Sequence, residues 1–135
     1  MDRRESQELM ARLHRDAAVL ASRFGLRYRA LEPERPNVKR RYGVCFSDGT
    51  IRIRLRHVTT GRSLKYSSLV NTLCHELAHL RHFDHGLRFQ QLYGQILEFA
   101  RDQGIYRPRA PAAAGPQVEP EPPPRPRAVQ LTLFG

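Results

Sequence analysis

The chain has 135 residues, 23 Lys+Arg against 13 Asp+Glu, ten prolines and two cysteines, and a formal net charge of +10. That length and 40% apolar content suit one domain with one modest core. No apolar run approaches the roughly 18 residues that span a bilayer. The charged start is unlike a secretory signal, and two distant cysteines make no disulfide framework. Membrane proteins, secreted mini-scaffolds and multidomain machines are therefore excluded, and a cytoplasmic location is expected.

Leu9, Leu13, Ala17, Leu20 and Phe24 recur at helical spacing, which predicts an amphipathic helix over 5–24 ended by Gly25. Leu26 to Leu31 alternates like a strand, stopped by Pro33 and Pro36. Asp48-Gly49 is a hairpin turn signal. Pairing outward from a two-residue loop sets Phe46 against Ile51, Val44 against Ile53 and Tyr42 against Leu55, all on one face. The other face carries Arg41, Arg52, Arg54 and Arg56. Tyr66, Leu69, Val70, Leu73, Leu77 and Leu80 then form a helical stripe, with Ser67 or Ser68 as N-cap. After a break at Phe83-Asp84-His85-Gly86, a last helix carries Phe89, Leu92, Tyr93, Ile96, Leu97, Phe99 and Ala100 and closes at Gly104. The expected class is α+β: N-terminal helix, small antiparallel sheet, then two helices.

Eight of the ten prolines lie between Pro108 and Pro126, where the only large apolar residue is Val118. Such a stretch cannot offset its ordering entropy and reads as a disordered, semi-rigid tether. The expected boundaries are a folded domain at 1–107, a Pro-rich linker at 108–127 and a terminal peptide at 128–135. The domain itself carries most of the excess positive charge, which attracts polyanions, nucleic acid above all. Arg52, Arg54 and Arg56 could track a phosphate backbone, or simply be a solvated strand face.

His75-Glu76-Leu77-Ala78-His79 reads H-E-x-x-H. At about 100° per residue the two histidines lie roughly 40° apart on one helix face, so both imidazoles can meet one metal ion. The leucine stripe occupies nearly the opposite side, leaving the histidine face to line a cleft. Zn2+ suits neutral imidazoles, and a catalytic site adds a third protein ligand and keeps a position for water. Glu76 is then placed to accept a proton from that water and pass it to a leaving amine. Three residues compete as third ligand. His82 lies about 10.5 Å along the helix from His75, too far for easy convergence. His85 follows the break, where the chain can turn back. Glu98, on the next helix, has a placement resembling the thermolysin-like pattern. The spacing of His75, His79 and His85 is also similar to that of metzincins, but a methionine turn is missing, since the methionines are Met1 and Met10. Cys74 beside the motif reads as a buried helix residue rather than a nucleophile. Tyr66, Tyr93 and Tyr106 are each open as groups that could polarise a carbonyl.

Arg41 through Arg52, Leu73 through His79, and Asp84-His85-Gly86-Leu87-Arg88-Phe89 together resemble the SprT-like and YgjP-like zinc metallopeptidases. The resemblance spans about residues 40–107. It implies a minimal zincin-like fold with His85 as third ligand, Phe89 as a packing residue, and hydrolysis of a protein or peptide substrate. Many SprT-like proteins add a cysteine-rich zinc ribbon, and here no cysteine follows Cys74.

Gln130-Leu131-Thr132-Leu133-Phe134 resembles the peptide with which bacterial replication and repair proteins dock on the sliding clamp. Leu131, Leu133 and Phe134 would enter a groove, with Gln130 as polar anchor; folding back onto the domain is the alternative. The clamp-like peptide, basic domain and protease helix together suggest an analogue of the Spartan-type, DNA-recruited proteases that digest proteins crosslinked to DNA. Two competing expectations are a nucleoside-triphosphate hydrolase of the YgjP-like kind and a non-enzymatic DNA- or clamp-binding adaptor with structural zinc.

Overall fold

A computed structural model of the chain describes residues 3–108. Apart from Pro108, the expected linker and terminal peptide, with Gln130, Leu131, Leu133 and Phe134, lie outside the described residues.

Helix α1 spans Arg3–Phe24 and buries Met10, Leu13, Ala17, Leu20 and Ala21. It stops where expected: Gly25 takes a positive φ of 65°, and the Leu26 N–H reaches back to the Ala21 carbonyl at 2.9 Å. Strands β1 (Ala30–Pro33), β2 (Gly43–Cys45) and β3 (Thr50–Ile53) form a sheet of order β1-β3-β2. Helices α2 (Tyr66–His79) and α3 (Leu87–Asp102) complete the fold. Among the described residues no helix is long and apolar enough to cross a membrane.

The α+β order of helix, sheet, helix and helix is as expected, but three details differ. First, the sheet is mixed rather than antiparallel. β1 runs parallel to β3, with Leu31 opposite Ile51. It also starts and ends later than expected, at Ala30–Pro33, and Pro33 is tolerated because a strand end can do without its N–H.

Second, the hairpin register is shifted by one residue. Cys45 faces Ile51 and Gly43 faces Ile53, while Val44 faces Arg52. The cause is the turn. Gly49, at φ 92°, donates to the Phe46 carbonyl, and Phe46 N–H bonds to Thr50 O, so the loop has three residues instead of two. Asp48 Oδ1 accepts the Thr50 N–H at 2.9 Å and holds that geometry. The slip exchanges bulky Val44 and Phe46 for Gly43 and Cys45 beside Ile51 and Ile53.

Third, neither Ser67 nor Ser68 caps α2. The N-cap is Lys65, and both serines are buried in the first turn. α2 is the central element: all of its residues except Tyr66 and Asn71 are buried. It packs on β2, β3, α1 and α3. Leu69, Leu73 and Leu77 have no exposed surface, in a core shared with Ile51, Ile53, Leu13, Leu20 and Ile96.

Candidate metal centre

His75 and His79 sit one turn apart near the end of α2, both buried. The chain then leaves the helix, turns through 80–84, and brings His85 back just before α3 begins. Asp84 shapes the return: its Oδ1 accepts the Gly86 N–H at 3.0 Å. The result is a cluster in which each of His75, His79 and His85 offers one nitrogen, all within 4.8 Å of one another. Glu98 is exposed on α3 and outside this cluster.

The ring orientations have identifiable causes. His79 Nδ1 lies 2.9 Å from the backbone carbonyl of His82. A carbonyl can only accept, so this nitrogen carries the proton and Nε2 presents a lone pair. His79 Nε2 is 3.2 Å from His85 Nε2. Burial, chiefly, lowers the His79 pKa from 6.5 to about 4, so the ring is neutral at physiological pH. His82 contributes its main chain, not its imidazole, a role invisible in side-chain spacing.

Phe89 on α3 is the floor of the cluster. Its ring stacks on His79 at 4.3 Å between centroids and meets His75 and His85 edge-on, each at 4.9 Å. With only 1% of its surface exposed, it fixes all three imidazoles from below. Tyr93, one turn further along α3, places its ring 5.3 Å from His75 and hydrogen-bonds through its hydroxyl to Asn71. Of the three tyrosines weighed from sequence, it is the one whose ring touches the cluster. The Tyr66 hydroxyl is 2.6 Å from Asp16 Oδ2, and Tyr106 is buried beyond the end of α3.

Glu76 is fully buried, with Oε2 3.4 Å from His75 Nδ1. Its carboxylate lies against β2: a Cβ added at Gly43 would stand 3.1 Å from Oε2. The one-residue slip of the hairpin thus puts the smallest residue of β2 where the acid of α2 needs room.

The donor set fits zinc. Imidazole nitrogens at zinc bond lengths of about 2.0–2.1 Å and tetrahedral angles stand about 3.3 Å apart, close to the separation of His79 and His85 Nε2. The tautomer set by the His82 carbonyl is the one a metal requires of His79. The thiols are not part of this set: neither Cys45 nor Cys74 belongs to the cluster, and burial raises the pKa of both.

The arginines expected on one solvent face do not share one environment, and Arg41 pairs with Glu34 at 2.9 Å. Arg52 pairs with Glu32 at 3.1 Å. Arg54 is buried, and its guanidinium donates to the carbonyls of Val38 at 2.7 Å and Arg41 at 2.8 Å, which corrects its assignment to an open face. Arg56 is exposed beyond the end of β3.

This geometry belongs to a family. A model of the WLM domain matches residues 1–105, and the chain belongs to that family. Its fold is that of Wss1 from Saccharomyces cerevisiae: the crystal structure superposes with a TM-score of 0.67 at 18% identity, over 76% of this chain and 84% of that one. A crystal structure of a Wss1 mutant matches with the same score and identity, over 78% and 87%. No curated protein matches the chain.

Proposed function

We propose that this chain is a zinc-dependent metallopeptidase in which His75, His79 and His85 hold the ion and Glu76 moves the proton. The observation that carries this reading is the convergence of three imidazoles beside a fully buried carboxylate. Bound there, zinc supplies Lewis acidity, polarising a carbonyl and making water acidic near neutral pH. The protein's own groups do the rest. Phe89 and the His82 carbonyl keep the imidazoles oriented. Glu76, walled by β2, takes a proton from water and delivers it to the departing amine. Among the described residues β2 lies at the edge of the sheet, packed against the helix that carries Glu76.

The kinship to SprT-like and YgjP-like peptidases rests on the hairpin, the H-E-x-x-H helix and the His85-Gly86 segment. With the basic domain and the clamp-like residues 130–134, it supports protein crosslinked to or associated with DNA as the substrate. The domain boundaries at 107 and 127 belong to this same reading.

Purified protein is expected to hold close to one zinc per chain. Glu76→Gln should keep that zinc and lose about 100-fold or more in cleavage of a DNA-bound or unfolded protein, the usual scale for removing a general base. Undiminished cleavage by Glu76→Gln would refute the mechanism.

A further inference from the structure

A concave site is lined by none of the three clustered histidines. It is a cavity of about 240 Å³ between the 33–39 loop and the 54–61 segment. Arg35 and Lys39 line one wall, Arg56 and His57 the other. Among the described residues no ion pair occupies Arg35, Lys39 or Arg56. The acid of the lining, Glu34, is already engaged: Arg41 Nε stands 2.9 Å from its Oε2, and the Arg35 N–H donates to Oε1.

The cavity is built rather than incidental. Buried Arg54 ties down the first wall through the Val38 and Arg41 carbonyls. Glu34 N–H bonds to Ile53 O at 2.8 Å, anchoring that wall to β3. The second wall is a closed turn, with His57 N–H on Arg62 O, and Gly61, at φ 75°, on His57 O. Cations lining two braced walls, with the acid of the lining already paired, favour a compact anion.

From this geometry we infer that the cavity binds a phosphate group through Arg35, Lys39 and Arg56. Its volume is below the roughly 300–1,000 Å³ of ordinary small-molecule sites, so it suits the phosphate and not a whole nucleotide. No Phe, Tyr or Trp lines it, so no base would stack there and recognition is independent of sequence. The phosphate can come from a nucleic-acid strand or from a free phosphorylated metabolite. The site does not depend on the metallopeptidase reading.

The test uses the full chain. Binding of a fluorescent single-stranded oligonucleotide and of inorganic pyrophosphate is measured for wild type, for R35Q/K39Q/R56Q, and for R27Q/R88Q/R107Q, which removes the same charge at exposed positions elsewhere. The pocket variant should bind at least about tenfold more weakly than the distant variant. Its salt slope on the oligonucleotide should be shallower by about 0.7 for each strand phosphate that is no longer neutralised. Loss with the oligonucleotide alone assigns a strand phosphate; loss with both ligands assigns phosphate from either source. All three proteins are expected to melt alike, since these side chains are exposed. Glu76→Gln should bind as wild type does, which separates this site from the catalytic reading. Equal weakening in the two triple variants, or no measurable binding by wild type, would overturn the inference.

Discussion

Gly43 and Glu76 approach so closely that the strand and the helix leave no space for a side chain between them. A methyl group on Gly43 would stand 2.6 Å from Thr72 Cγ2 as well as 3.1 Å from the Glu76 carboxylate. Thr72 is buried in a helix and stiff at χ1, so it cannot simply swing away. Gly43→Ala should therefore destabilise the domain by about 1–3 kcal/mol, the usual scale of overpacking. Thermal unfolding checks this. Adding Thr72→Ser removes the opposing methyl and should recover part of the loss, and strict additivity of the two changes would contradict the contact.

The cluster separates two histidines that spacing alone leaves in competition. With His85 as the proposed third ligand, His85→Ala should abolish zinc binding, measured by metal analysis after dialysis. His82→Ala should retain it, because the bond to His79 Nδ1 comes from the main chain of residue 82.

Phe89 touches all three rings, so its effect on the metal should exceed its effect on the fold. Phe89→Leu keeps apolar bulk and should cost about 1 kcal/mol of stability as a near-conservative core change. Loss of the stacked face should weaken zinc binding by about 10–100-fold, the range typical of groups that orient ligands. A chelator competition titration reads this directly.

Helical periodicity made α1, α2, α3 and the shared face of His75 and His79 readable, because residues four apart on a helix are neighbours whatever surrounds them. The hairpin was visible and its register was not. Asp48-Gly49 suits a two-residue loop and equally a three-residue loop with Gly49 in the left-handed region, and a bond such as Phe46 N–H to Thr50 O decides between them. That single step determined whether Val44 or Gly43 faced α2. The parallel pairing of β1 with β3 is non-local and leaves no local signature. Arg54 looked like a surface residue because alternation reports a face, not the backbone carbonyls waiting on it.

In metal-free protein His79 should make stability depend on pH. Its pKa is about 4 when folded and 6.5 ordinarily, so between these values the unfolded chain binds the extra proton. This contribution is unchanged above the ordinary value and is lost progressively as pH falls from 6.5 toward 4, with a slope of at most about 1.4 kcal/mol per pH unit. Urea midpoints in chelator across this range, compared with His79→Gln, isolate it. Parallel curves for the two proteins would remove His79 as the cause.

Arg54 should behave as a structural residue. Its planar fork reaches two carbonyls at once, at 2.7 Å on Val38 and 2.8 Å on Arg41. Lysine keeps the charge but offers a point-like ammonium in place of the fork. Arg54→Lys should thus cost about 1.5–3 kcal/mol, the range for hydrogen bonds to charged groups. Hydrogen exchange should quicken at the Val38 N–H, which bonds to Arg35 O across the loop that Arg54 holds. If instead Arg54→Lys melts with wild type while its oligonucleotide binding falls, Arg54 acts on nucleic acid and not on the loop.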